Sequence, residues 1–170
     1  GFNSIKFFKN NTFKVTSLNS NKDFLKKLSK NLILVYTGIN RTAQFVANSY
    51  SNKLASQKKR NIMRIMDYVK ESKRIIKDKR LNDFGLLLHE SWKEKKELSN
   101  RISNSKIDYL YNIGLKNGAL GGKLLGAGGG GFLLFYVESY KKKFFLKKMN
   151  QCISLPVEFS SNGSNIILNN

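Results

Sequence analysis

Residues 121–136 read GGKLLGAGGGGFLLFY, and this glycine-rich stretch running into an apolar segment decides the fold. Glycine costs roughly 0.5–1 kcal/mol relative to alanine in regular structure, so the glycine run at 128–131 needs a local reason. Successive backbone amides in such a loop can hold an anion. The apolar run at 132–137 is typical of a buried strand that fixes the loop on a rigid support. The alternative is a tight turn where a strand passes close to a helix.

Two common phosphate-binding motifs do not match this stretch. A Walker loop requires G-x-x-x-x-G-K-S/T, but here Lys123 precedes the glycine run and no Ser or Thr follows it. A Rossmann fingerprint follows a strand and opens a helix, whereas this glycine run leads into a strand pattern. We therefore interpret the segment as a functional loop of another class.

The remaining sequence alternates between strand and helix patterns. We expect strands over 2–8, 12–18, 32–36, 132–137, 153–159 and 164–168. Helical spacing of apolar residues predicts helices over 43–54, 62–79, 84–98, 107–115 and 139–150. In the last helix we expect Phe144, Phe145 and Met149 to point inward, and we assign no strand to 118–131. This order predicts an α+β fold with helices on one face of a largely antiparallel sheet.

Composition restricts the classes of function. The formal net charge is +20, but the excess is mostly lysine spread along the chain, which favours a solvated basic surface over a nucleic-acid interface. One cysteine, Cys152, and one histidine, His89, exclude an internal disulfide and a histidine-based metal site. No apolar run is long enough for a membrane span, and no signal peptide is visible. A cytoplasmic location is the simplest expectation.

The glycine segment, 118–131, resembles the third signature motif of the GHMP kinases, which include galactokinase and mevalonate kinase. Residues 86–138, the LVYTGINRTAQFV segment at 34–46 and the opening GFNSIKFF are similar to the D-glycero-D-manno-heptose 7-phosphate kinases, with fucose kinases as near alternatives. The resemblance implies a ferredoxin-like C-terminal α+β domain over 31–170. It also implies that 1–30, with the opening hairpin, belong to the end of an N-terminal domain.

The resemblance places the glycine motif beside the active site, where it supports the phosphate-binding loop and contacts substrate or phosphates. The residues that match are Gly126, Gly128, Gly129, Gly130 and Gly131, with Lys123 as a basic candidate. The alternative for Lys123 is an exposed lysine among many.

A second segment, T-G-x-x-R-T, resembles the family's substrate side and follows the expected strand 32–36. It places Thr37, Gly38, Arg41 and Thr42 near the pocket. Hydroxyl groups at a strand end can bind a sugar, and an arginine can bind a phosphate through two hydrogen bonds. The alternative for Thr42 is a helix N-cap.

The resemblance implies an ATP- and Mg²⁺-dependent kinase that phosphorylates the anomeric hydroxyl of a sugar phosphate. The ATP loop and the catalytic aspartate are expected upstream of Gly1, so we expect no catalytic residue and no metal ligand in this chain, and little turnover by the chain alone. Exposed sheet edges would favour self-association. The alternatives are another sugar kinase of the family, such as a fucose kinase, a nonenzymatic basic nucleic-acid-binding domain, or a folded scaffold.

Overall fold

The computed structural model describes residues 2–18, 22–51, 56, 58–160, 163 and 167. The strands are β1 (Asn3–Phe7), β2 (Phe13–Ser17), β3 (Leu32–Tyr36), β4 (Ala119–Leu124), β5 (Phe132–Val137) and β6 (Ser154–Pro156). The helices are α1 (Lys22–Asn31), α2 (Ala43–Asn48), α3 (Lys59–Lys77), α4 (Leu81–Lys96), α5 (Ser105–Lys116) and α6 (Lys142–Lys148).

The strands form two antiparallel groups. β1 and β2 make a separate hairpin, while the main sheet has the order β4-β5-β3-β6. β5 lies at the centre with β4 on one side and β3 on the other, and Leu134 of β5 is paired with both Lys123 and Leu34. The expected α+β fold with an antiparallel sheet is confirmed.

Alternate residues of β5 divide the apolar core between two clusters. Leu133 and Phe135 join the larger cluster with buried side chains of α5 and α6, including Ile107 and Phe145. Tyr136 joins the smaller cluster with Phe24 and other residues of α1. This alternation follows from the two-residue period of a strand, and it gives both faces of the sheet an apolar contact.

We expected no strand over 118–131, but β4 occupies part of this glycine-rich segment, so that expectation is wrong. Gly121 and Gly122 are buried within β4, where α4 packs directly against the strand. A Cβ on Gly121 would meet the backbone carbonyl oxygen of Gly85 at 2.1 Å. The helix and the strand can approach this closely because neither position carries a side chain, which is the close-packing role expected of paired glycines.

Other differences concern the ends of the chain's elements. Phe145 and Met149 are buried as expected, but Phe144 is 54% exposed, so its inward placement was wrong. The strand expected over 153–159 is limited to β6, and the helix expected over 43–54 ends at Asn48, with 52–54 outside the described residues. Of the strand expected over 164–168, only residue 167 is described.

Among the described residues, no helix is long and apolar enough to cross a membrane.

Candidate functional site

The loop that joins β4 to β5, residues 125–131, is called the glycine loop below. Its two ends are closed by the hydrogen bond from the Leu125 amide to the Phe132 carbonyl, at 2.9 Å. The Gly131 carbonyl accepts two hydrogen bonds from Thr37, one from its amide at 2.9 Å and one from its Oγ1 at 2.8 Å. The Gly131 amide donates to the Ile39 carbonyl at 3.0 Å. The loop is therefore held to the segment that follows β3.

The middle of the glycine loop is held by the connection between α4 and α5. The Gly129 amide donates to the Ile102 carbonyl at 2.8 Å. A Cβ on Gly129 would lie 2.9 Å from Arg41 Cδ and 3.3 Å from the Arg101 carbonyl oxygen. Gly129 also has a φ of +78°, a backbone conformation that favours glycine. Three chain segments thus meet at Gly129 without space for a side chain.

The loop's amides divide into two groups. Those of Gly129 and Gly131 are used in the contacts that hold the loop. Within the described part of the chain, the amides of Gly126, Gly128 and Gly130 make no backbone hydrogen bond outside helices and strands. Free amides in a turn are the groups that bind an anion, so part of the loop is available for that role and part is structural.

The glycine loop, β3 and the segment before α2 line an open cavity of about 320 Å³. Its lining consists of Leu34, Arg41, Ala43, Leu125, Gly126, Ala127, Gly128, Gly130, Gly131 and Phe132. Arg41 is the one charged side chain among these residues, and no carboxylate lines the cavity. The cavity combines free amides, one cation and apolar walls, and this combination suits an anionic group such as a phosphate.

The sequence profile for the C-terminal part of the GHMP kinases matches residues 68–152, half of the chain, and this range includes the glycine loop. The chain belongs to the GHMP kinase family. It is 31% identical over 156 residues to the D-glycero-alpha-D-manno-heptose 7-phosphate kinase of Campylobacter jejuni, covering 89% of this chain and 45% of the relative.

Solved structures of kinases have the same fold. A D-glycero-D-manno-heptose 1-phosphate kinase from Bacteroides thetaiotaomicron superposes with a TM-score of 0.63 at 20% identity, covering 92% of this chain and 41% of that one, a likeness that concerns the fold. The mevalonate kinase of Methanococcus jannaschii gives a TM-score of 0.58 at 27% identity, covering 87% and 44%. This family member therefore spans less than half the length of these relatives.

The structure separates the predicted substrate-side residues. Arg41 lines the glycine-loop cavity, but Thr37 and Gly38 line a second cavity of about 480 Å³ together with Lys106 and Cys152. Thr37 is buried, and its hydroxyl is used in holding Gly131. Thr42 lies at the N-cap of α2, although its side chain makes no capping hydrogen bond, and it lines neither cavity.

Lys123 lies behind the glycine loop on β4, outside the cavity lining. It is half-buried, unlike an ordinary surface lysine, and burial lowers the pKa of its amine. Its neighbour Lys95, on α4, was missed by the sequence analysis. Lys95 Nζ donates to the carbonyls of Leu124 at 3.1 Å and of Gly126, so it holds the end of β4 and the start of the glycine loop. Burial, and then the charge of Lys123, lower the pKa of Lys95 to about 8.

Arg101 was also missed, because it lies in a helix connection with no motif of its own. Its guanidinium Cζ is 4.4 Å from the ring centre of Phe45, and Arg41 Cζ is 6.0 Å from the same ring. Both arginines are exposed. Sequence reasoning had no signal for this pair, since the two residues are sixty positions apart in a chain rich in basic residues.

Among the described residues, no group of three or more His, Cys, Asp or Glu side chains could hold a metal ion. No carboxylate lines the glycine-loop cavity, so its lining offers Mg²⁺ no carboxylate ligand, and we derive no step through Mg²⁺. His89 takes part in hydrogen bonds within the fold. Its Nδ1 is 2.7 Å from the hydroxyl of Tyr111, and that hydroxyl donates to the Gly122 carbonyl at 3.2 Å.

Proposed function

We propose that this chain forms part of a kinase that transfers the γ-phosphoryl group of ATP to the anomeric hydroxyl of a heptose 7-phosphate. Membership of the GHMP kinase family supports phosphoryl transfer as the reaction class. The heptose substrate is supported by the similarity to the Campylobacter jejuni enzyme, whose name gives that activity. The proposed domain division, with residues 31–170 in the C-terminal domain and 1–30 in an N-terminal one, accompanies this proposal.

The observation that carries the proposal is the cavity at the glycine loop, which is lined by Arg41 and by three glycines whose amides make no backbone hydrogen bond outside helices and strands. Phosphoryl transfer requires mainly the positioning of the reactants and the stabilisation of charge on the transferring group. Preorganised amides and a guanidinium provide both, because their dipoles and charge are fixed before the reactants bind. In the proposed reaction Gly126, Gly128 and Gly130 contact phosphate oxygens, and Arg41 binds an anionic group of the substrate.

The transfer itself needs a group to accept a proton. The sugar hydroxyl oxygen forms a bond to the γ-phosphorus, the bond from that phosphorus to the β-phosphate oxygen breaks, and ADP leaves. The hydroxyl proton passes to a base. Since no carboxylate lines the glycine-loop cavity, we propose that the base, like the ATP loop, is supplied by residues outside this chain. The chain alone is then expected to show no turnover. We propose the cytoplasm as the location of the reaction.

The test uses the complete open reading frame that encodes this chain. The purified protein is incubated with ATP, Mg²⁺ and either heptose 7-phosphate, unphosphorylated heptose or L-fucose, and ADP release is measured together with the phosphorus NMR spectrum. We expect ADP formation with heptose 7-phosphate and a new anomeric phosphate signal. A preference for L-fucose would replace the heptose assignment with the fucose kinase alternative. Absence of ADP formation with all three sugars would contradict the proposal.

A further inference from the structure

Arg41 and Arg101 both lie close to one exposed aromatic ring, that of Phe45. Phe45 is 54% exposed, and the two guanidinium groups are 6.0 Å and 4.4 Å from its centre. A guanidinium within about 6 Å of an aromatic ring is attracted to the ring face and loses part of its freedom of movement. The two arginines are thus partly positioned before any ligand binds.

The backbone under this arginine pair is fixed as well. A Cβ on Gly129 would lie within 2.9 Å of Arg41 Cδ and 3.3 Å of the Arg101 carbonyl oxygen, so both segments pack against this glycine. The Gly129 amide donates a hydrogen bond to the carbonyl of Ile102, the residue next to Arg101. The position of the arginine pair is therefore coupled to the glycine loop, because one glycine contacts both segments.

The arginine pair has no opposing charge in the described part of the chain. Neither arginine takes part in an ion pair with a described carboxylate, whereas Arg64, Arg74 and Arg80 all do. Arg101 also lines a cavity of about 680 Å³, whose other polar side chains are Asn48, Ser49, Lys58, Ser99 and Asn100. This lining contains amide, hydroxyl and cationic groups and no carboxylate, which suits a ligand that carries both hydroxyls and negative charge.

We propose that Arg41 and Arg101 together bind the phosphate monoester of the sugar substrate, at a position separate from the phosphate being transferred. Arginine suits this role because its planar group can donate two parallel hydrogen bonds to phosphate oxygens. The phosphate of a heptose 7-phosphate is at the opposite end of the sugar from its anomeric hydroxyl. A second anion site beside the glycine loop therefore accommodates one end of the sugar while the other end faces the loop. This inference rests on the proposed function, and it makes the arginine pair the determinant of selection for a phosphorylated sugar.

The test is a calorimetric titration of the complete protein that contains this chain, without ATP, at an ionic strength of about 0.15 M. The ligands are heptose 7-phosphate, the same heptose without its phosphate, and ADP. The variants are Arg41→Met and Arg101→Met, with Arg60→Met on α3 as the control that removes the same charge from an exposed position. Circular dichroism and thermal melting check that each variant is folded.

We expect either variant of the arginine pair to weaken heptose 7-phosphate binding roughly tenfold or more, as for the loss of a charge-assisted hydrogen bond. Arg60→Met should change the Kd less than about twofold, because exposed charges are screened by salt. Arg101→Lys should give an intermediate Kd, since lysine keeps the charge but loses the paired donors. Binding of the unphosphorylated heptose should be weak and equal in all variants.

Four results would overturn the proposal. Equal weakening of heptose 7-phosphate binding by all three arginine-to-methionine substitutions would show that the basic surface as a whole attracts the ligand. Binding of heptose as tight as that of its phosphate, or no saturable binding at all, would remove the phosphate site. Competition by ADP for the same arginines would assign the pair to the nucleotide. Because the titration contains no ATP, its result is independent of whether the complete protein transfers phosphate.

Discussion

Gly121 and Gly85 lie in contact where α4 crosses β4, at a distance that leaves no room for a Cβ atom. A Cβ on Gly121 would be 2.1 Å from the Gly85 carbonyl oxygen and 2.9 Å from His89 Cβ. A Cβ on Gly85 would meet the ring of Tyr136 at 2.7 Å. Since β4 leads directly into the glycine loop, this contact fixes the support on which the candidate site is built.

Replacing Gly121 with alanine is therefore expected to destabilise the fold. The added methyl group meets backbone, which cannot rotate away, and overpacking of this kind costs about 1–3 kcal/mol. The matched control is Gly163→Ala, where a Cβ would have no atom within 4 Å. Urea denaturation followed by circular dichroism measures both. Equal free energies of unfolding for the two variants would show that the helix moves without cost.

Lys95 gives the stability a pH dependence. Burial and the charge of Lys123 lower its pKa from 10.5 to about 8 in the folded chain. Between these pH values the unfolded chain binds more protons than the folded one, so the free energy of unfolding attributable to Lys95 rises with pH, by about 3 kcal/mol in total. The neutral amine still has two protons for the carbonyls of Leu124 and Gly126, so its hydrogen bonds are retained.

The measurement is the free energy of unfolding from pH 7 to 10.5 for the wild type and for Lys95→Met. We expect the difference between the two curves to rise across this range, and the exposed substitution Lys147→Met to give no such difference. Lys123→Met should move the rise to higher pH, because it removes the charge that further lowers the pKa of Lys95. A flat difference curve for Lys95→Met would contradict the buried, charged state assigned to this lysine.

Apolar runs predicted β3 and β5, whereas α1 and the glycine-containing β4 were missed. The run LILVY at 32–36 coincides with β3, and the apolar run FLLFYV at 132–137 coincides with β5. β4, with the sequence ALGGKL, has no such signal, because glycine is depleted in strands and offers no apolar side chain. Its conformation is set by the β5 pairing and by α4, which are tertiary contacts that a local pattern cannot contain.

The same limit applies to the candidate site. The glycine motif and Arg41 were identified because they belong to local patterns, and the structure brings them to one cavity. Lys95 and Arg101 were not identified, since each lies in an ordinary basic segment. Tertiary folding, which no local pattern reveals, brings them into contact with the glycine loop. Thr37 was assigned to the pocket from its position at a strand end, yet its hydroxyl is directed to the Gly131 carbonyl.

Two glycines of the loop should differ in their tolerance of alanine. A Cβ on Gly130 would lie 2.6 Å from the Ile39 carbonyl oxygen, whereas one on Gly126 would meet nothing within 4 Å. Gly130→Ala should displace the loop and lower kcat/KM of the complete protein roughly 100-fold, the usual effect of a displacement of about 1 Å at a reacting site. Gly126→Ala, at a φ of +68°, carries only a backbone cost of about 1–2 kcal/mol.

Steady-state kinetics on the proposed reaction, with thermal melting of both variants, separates the two effects. We expect Gly126→Ala to lower the melting temperature with a much smaller change in kcat/KM. A Gly130→Ala variant with unchanged kcat/KM would remove the glycine loop from the proposed reaction.

The hairpin formed by β1 and β2 presents an apolar surface that should cause self-association of the chain. Phe7 and Phe13 are paired across the hairpin with ring centres 6.3 Å apart, and they are 77% and 63% exposed. Exposed aromatic residues on a hairpin favour contacts between molecules, since burial of apolar surface is favourable. Replacing both phenylalanines with serine should shift sedimentation equilibrium toward the monomer, while Tyr140→Ser, at a site 74% exposed, should not. An unchanged mass distribution for the double variant would show that association, if present, uses another surface.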